Sequence, residues 1–148
     1  MTFDVPARFA VFSDIHGNLP ALNHFLQHAD ATGYDALFCL GDIVGYGAHP
    51  NECCDAIRRR NIPSVLGNHD EMALKPDEAD NFNDIARRAI HWTHDQLRPD
   101  NAEFLASLPY RIETEDYLFV HASPLDSEKW HYILTHTDAE FNFRAFDQ

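Results

Sequence analysis

Three apolar runs in the first half of the chain, "RFAVFSDI" (8–15), "DALFCLGD" (35–42) and "IPSVLGN" (62–68), alternate with two stretches of helical spacing. No other feature restricts the fold as strongly. Short apolar runs bounded by turn chemistry read as buried strands, and strands joined through a helix pair in parallel, because the crossover returns the chain to the same end of the sheet. The first intervening stretch starts after Asn18, an expected N-cap, with Pro20 in its first turn. It sets Leu22, Phe25, Leu26 and Ala29 at i, i+3, i+4 and i+7, and Gly33 ends it. "NECCDAIRRR" (51–60) reads as the second helix. The rhythm is βαβαβ, which predicts an α/β fold with a parallel sheet.

The second half is less regular. Residues 80–97 read as a helix with Phe82, Ile85, Ala89 and Trp92 on its apolar face, stopped by Pro99, and "NAEFLASL" (101–108) as a short helix closed by Pro109. "YRIETEDYLFVHAS" (110–123) predicts two strands that turn at Glu115 and Asp116. Without an internal repeat, low-complexity tract or linker, residues 1–148 are expected to form one domain.

Charge narrows the partners. Eleven basic residues against 24 acidic ones give a net charge of −13, which opposes a nucleic-acid backbone and an anionic membrane surface. The short run Arg58, Arg59, Arg60 lies where a helix should end, and cations suit that terminus. No nucleic-acid polymer is expected as a partner. Three cysteines are an odd number and form no disulfide framework. Cys39 falls in an apolar strand, and the adjacent Cys53 and Cys54 read as ordinary helix residues. With no leader-like segment and no apolar run near ~18 residues, a cytoplasmic protein without a membrane partner is expected.

The strand ends carry the chemistry. The first run finishes in Asp14 and His16, which would project together if strand geometry persisted that far. The second finishes in Gly41-Asp42 before the glycine-rich Gly45 to Gly47. The third finishes in Gly67-Asn68-His69-Asp70, and "YLFVHAS" ends in His121. In parallel α/β sheets, ligands bind in the crevice beyond the carboxyl ends of the strands. Carboxylates, an amide oxygen and imidazoles without thiolate match hard to borderline divalent metals, and Asp42, in the middle of the set, has two oxygens with which to bridge a pair of ions. Taken singly, Asp-x-His at a strand end or Asn-His-Asp is as well explained by a turn. Four polar strand ends in one chain are not well explained as four independent turns. His24, His28, His91, His94 and His131 lack that context and read as surface or helix-face residues.

"SDIHGN", "GDIVGYG", "GNHD" and "VHASP" together resemble the successive motifs of the calcineurin-like metallophosphoesterase superfamily, and "GDIVGYGAHPNEC" is similar to its bacterial, diadenosine-tetraphosphatase-like branch. The resemblance runs from about Arg8 to the last residues. It implies an α/β/β/α four-layer sandwich and two divalent cations, of the manganese, iron or zinc kind. It implies that Asp14 and His16 bind the first metal, that Asp42 bridges, and that Asn68 and His121 bind the second. His69, steadied by Asp70, would face the substrate phosphate. The activity implied is hydrolysis of a phosphate ester by metal-activated hydroxide.

One departure stands against these agreements. Members of the superfamily carry a Gly-His-x-His segment after the His121-like position, and here the sequence ends at "AEFNFRAFDQ" without it. "LTHTD" has His136 but neither the glycine nor a second histidine, and Thr137 or Asp138 reads there as a helix cap. The sandwich is therefore expected to lack its C-terminal strands, and an uncovered sheet edge would favour self-association. A catalytically silent phosphate- or metal-binding remnant is the alternative function. A histidine-rich metal-storage or metal-sensing protein is a further one, suggested only by the ten histidines.

Overall fold

The computed structural model describes residues 5–144. Strand β1 (Phe9–Phe12) pairs in parallel with β2 (Ala36–Cys39), Phe9 opposite Ala36 and Phe12 opposite Cys39. Helix α1 (Leu19–Thr32) connects them. Its N-terminus is capped as the sequence predicts, with Asn18 Oδ1 accepting from Ala21 N at 3.2 Å. At its C-terminus, Gly33 takes a left-handed conformation and donates its N–H to Ala29 O. Leu22, Leu26 and Ala29 are the buried positions of this helix. Helix α2 (Pro50–Arg59) follows β2.

The third apolar run differs from expectation. It lies parallel beside β2 but makes a single bridge, Cys39 with Ser64, and is not a full strand. Pro63 has no N–H to give to a ladder. Its carbonyl accepts from Cys39 N, Val65 N donates to Cys39 O, and the next amide, Leu66 N, already turns away to Pro109 O.

Side chains alternate across the β1–β2 pair and divide the core in two. Phe12, Leu37 and Cys39 pack with Leu22 and Leu26 of α1, Ile57 of α2 and Leu105 of α5 (Pro99–Ala106). Phe9 and Phe38 pack instead on Ile112 and Phe119, which belong to a hairpin of β3 (Arg111–Glu113) and β4 (Leu118–Val120). The rings of Phe38 and Phe119 stack at 4.3 Å. This is the helix, sheet, sheet order of the expected sandwich. Val11 lies on the same strand face as Phe9 yet is 43% exposed, because the hairpin does not reach it. Among the described residues, β1 has no second neighbour.

Helix α3 (Asn68–Leu74) is followed by a 3-10 turn (Pro76–Asn81) and by α4 (Asp84–Gln96). The buried face of α4 is Ala86, Ile90 and Thr93, whereas Ile85 and Trp92 are exposed. The predicted stripe was counted from Phe82, which precedes the Asn83 cap and is outside the helix. A polar tie fixes the true face: Thr93 Oγ1 donates to Gly45 O at 2.7 Å. Pro99, expected as a stop, opens α5 as its first residue, where a missing N–H does no harm. A second 3-10 turn (Ser127–Lys129) and α6 (His136–Arg144) complete the order, and residues 145–148 of the terminal segment lie outside the described residues.

The basic run and the cysteines are structural. Arg58 pairs with Asp100 at 2.7 Å and Arg60 with Asp30 at 2.8 Å, tying α2 to its neighbours. All three cysteines are buried and free, and burial pushes the thiols of Cys39 and Cys53 up to about 12. No helix of the described residues is long and apolar enough to cross a membrane.

Candidate metal centre

The strand geometry does not persist to Asp14 and His16, as β1 stops at Phe12. The two residues converge by another route. Asp14, His16 and Asp42 all hold positive φ, at 56°, 48° and 51°, a region that residues with a Cβ enter at a cost of order 1 to 3 kcal/mol when surrounding structure enforces it. Here the enforcement is a backbone zipper between two loops. Asp14 N donates to Gly41 O, His16 N to Asp42 O and Gly17 N to Ile43 O. Gly41 itself sits against Gly67, close enough that a Cβ on Gly41 would lie 2.8 Å from Gly67 Cα. Three loops thus share one small space.

Asn68, His69 and Asp70 are not a strand end. They form the first turn of α3, with Gly67 as its N-cap. Asp70 is fully buried, and its carboxylate does not reach the ring of His69 as expected. Oδ2 accepts from Gly67 N at 3.1 Å and Oδ1 from Val44 N at 2.9 Å. A carboxylate three residues past the cap folds back on the cap amide. Asp70 therefore holds loop to loop, and His69 Nδ1 is left buried without a hydrogen-bond partner.

The ring orientations of the other two histidines are set by backbone carbonyls. His16 Nδ1 donates to Val44 O at 3.1 Å, and His121 Nδ1 to Leu40 O at 2.6 Å. With those protons committed, each Nε2 presents its lone pair to other acceptors. His16 Nε2 lies 3.7 Å from Asp14 Oδ1 and 3.6 Å from Asp42 Oδ2. His121 Nε2 lies 3.5 Å from the same Asp42 Oδ2 and 3.0 Å from Asn68 Oδ1. Asp42 Oδ1 is held in place by His69 N–H at 2.9 Å. Lone pairs that face one another are stable only with a proton or a cation between them.

This donor set suits divalent cations. Ligand atoms of Asp14, Asp42 and His121 form one convergent group, and those of His16, Asp42 and His69 a second, with Asp42 common to both. Electrostatics point the same way. Burial, then the nearby Asp14, raises the Asp42 carboxyl above the ordinary carboxylate range, and burial, then Asp42, does the same for Asp70. Burial, then His16 and His121, pushes His69 down to about 4. Positive charge placed at Asp42 offsets the first of these penalties.

His136 is exposed at the start of α6 and belongs to neither group. The cap there is Thr135, two positions before Thr137, the nearer of the two expected caps: Thr135 Oγ1 accepts from Asp138 N, and Asp138 Oδ2 accepts from Thr135 N.

Sequence reasoning missed Glu71. Its carboxylate accepts from Lys75 Nζ and Tyr110 Oη at 2.8 Å each and from Trp130 Nε1 at 2.9 Å. An acidic residue in the first turn of a helix reads only as dipole compensation, and nothing local points to partners 39 and 59 positions away. Burial pushes Glu71 up, but the three donors outweigh it and leave the carboxyl below its usual value. A depressed carboxyl stabilises the fold above its unfolded pKa of about 4.3 and loses that contribution as pH falls through the lower folded value. With Trp92→Phe leaving Trp130 as the sole indole, Glu71→Gln is expected to remove a step in its emission that lies below about pH 4.3. Absence of a Glu71-dependent step below that value would contradict the three-donor clamp.

Parallel β1–β2 with covering helices, a hairpin on the opposite face and a loop-end cluster of Asp, Asn and His define the class as a metallophosphoesterase-type α/β fold. The family model for calcineurin-like phosphoesterase matches residues 7–145. The chain belongs to that family. It is 44% identical over 144 residues to an uncharacterized protein of Methanocaldococcus jannaschii, covering 94% of this chain and 59% of that one. It is 28% identical over 130 residues to the symmetrical bis(5'-nucleosyl)-tetraphosphatase of Haemophilus ducreyi, covering 85% of this chain and 43% of that one. The crystal structure of a metallophosphoesterase from Sphaerobacter thermophilus superimposes with a TM-score of 0.78 at 43% identity, over 95% of this chain and 57% of that chain. The chain thus spans well under two thirds of the length of these relatives.

Proposed function

We propose that the chain carries the dinuclear centre of a metal-dependent phosphoesterase, in which Asp14, His16, Asp42, Asn68 and His121 hold two divalent cations. The observation that carries this is the convergence of the His16 and His121 Nε2 atoms on the single oxygen Asp42 Oδ2. Bound there, such cations lower the pKa of a coordinated water and neutralise charge on the phosphoryl oxygens. The protein's own residues do the rest. Asp42 divides its carboxylate, Oδ2 toward the ligand cluster and Oδ1 to the His69 amide, which aligns the bridge with the start of α3. The Val44 and Leu40 carbonyls fix the tautomers of His16 and His121. Asp70 locks the Val44 loop to Gly67.

His69 faces the substrate in this reading. Its depressed pKa keeps the ring neutral near pH 7, so it offers a hydrogen bond from N–H to the phosphoryl or leaving oxygen and does not release a full proton. The convergence of His69 with His16 and Asp42 favours a second reading, in which His69 is a ligand. His69→Ala decides between them. The expected result is unchanged metal per chain with kcat lowered by about 10² to 10⁴; lost metal with per-site turnover retained would make His69 a ligand. Release of phosphate from a generic aryl phosphate with added Mn²⁺ separates the enzyme from a silent binding remnant.

The three buried, unpaired thiols suit the reducing cytoplasm.

A further inference from the structure

Beside the cluster lies a cavity of about 460 Å³ that shares Asn68 and His69 with it. Its other walls include Tyr46, Phe82, Trp130 and Tyr132, with Met72 and Ala86. Four aromatic rings around one opening next to polar ligands require a reason. The rings are in register with the site: Tyr46 lies 4.8 Å and Phe82 5.1 Å from the His69 ring, and Trp130 packs edge-on against His121 at 5.9 Å. Trp130 is held there under strain. Its φ is 56°, as is usual for glycine and rare for an indole. The indole N–H is committed to Glu71, so the rest of the ring offers the cavity apolar surface only.

We propose that this cavity is the leaving-group subsite and that it selects phosphate esters whose leaving group carries a planar aromatic ring. This rests on the phosphoesterase reading above, which puts the phosphorus at the Asp42 cluster and leaves the adjoining space to the organic half of the substrate. The volume lies within the range of small-molecule sites, and aromatic walls favour stacked or edge-on partners over aliphatic ones. Glu71 is a positioning residue here: it touches no substrate and acts by holding Trp130.

The test compares benzyl phosphate with ethyl phosphate, whose leaving alcohols are of similar acidity, so a rate difference reports binding of the ring. The expected kcat/KM ratio is about tenfold or more in favour of benzyl. Trp130→Ala is expected to bring that ratio toward one, Trp130→Phe to retain most of it, and Glu71→Gln to fall between. Adenosine 5'-monophosphate against ribose 5-phosphate repeats the comparison and tells a purine source of the ring from a phenyl one. A wild-type ratio near one for both pairs, or a ratio that Trp130→Ala does not move, overturns the subsite. If no ester is turned over, the phosphoesterase reading fails, and binding decides the subsite separately. In Trp92→Phe protein, benzylphosphonate, which cannot be hydrolysed at its P–C bond, should quench Trp130 emission where ethylphosphonate does not. Equal or absent quenching by the two overturns it.

Discussion

Asp42→Asn is expected to weaken binding of both proposed cations and to lower phosphoesterase turnover by about 10³ or more, without unfolding the protein. The two halves of that expectation have different origins. Asn keeps an oxygen for the His69 amide, so the hydrogen bond from that N–H at 2.9 Å survives. It removes the charge that both Nε2 atoms face, and with it the bridge. The metal-free variant should melt no lower than metal-free wild type, since burial disfavours the carboxylate at this position and an uncompensated buried charge destabilises a fold. Added Mn²⁺ should raise the melting temperature of wild type only. Metal content by elemental analysis and paired thermal melts check this. A variant that lost metal but also melted far lower would show Asp42 to be structural first.

Gly41→Ala is expected to destabilise the chain more than any single ligand substitution. Gly41 holds φ at 87°, and a Cβ there would meet the backbone of Gly67 at 2.5 Å from N and 2.8 Å from Cα. Neither contact can be relieved by a side-chain rotation, because both partners are main chain. The left-handed conformation costs roughly 1 to 2 kcal/mol, and forcing an extra carbon into a packed site adds about 1 to 3 kcal/mol. A loss of about 2 to 5 kcal/mol lowers the melting temperature by roughly 10 °C. The effect also reaches the chemistry. Asp14 N bonds to Gly41 O, so pushing the Asp42 loop away from Gly67 separates Asp14 and Asp42 from Asn68. Denaturant unfolding of the metal-free variant measures it, and a change under about 1 kcal/mol would mean that the loops yield more easily than their packing indicates.

What the sequence made legible follows from what is local. The cap at Asn18, the left-handed stop at Gly33 and the β3–β4 turn are decided by neighbours within a few residues, and all three are found where the pattern puts them. The identities gathered at the cluster were legible too, because polar residues that end apolar runs are conspicuous. The means of gathering them was not. Alternation along a strand suggested why Asp14 and His16 meet, whereas left-handed turns zipped to the Asp42 loop bring them together, and that pairing spans 26 or 27 residues. The family resemblance implied that Asp70 steadies His69, but a helix turn rotates its carboxylate to Gly67 and Val44. The face of α4 is chosen by Thr93 on Gly45, a polar contact that hydrophobic counting cannot see. Glu71 was invisible for the same reason, since its partners come from distant segments.

In the proposed centre, His16 and His121 share cations through Asp42. Proton NMR of the imidazoles during titration of the metal-free chain with paramagnetic Mn²⁺ tests this sharing. The ring signals of His16, His69 and His121 are expected to broaden first and together at low Mn²⁺, ahead of exposed His24, His28 and His91, and Asp42→Asn is expected to remove this priority. Broadening that begins at the exposed histidines, or that is unchanged by Asp42→Asn, would contradict it.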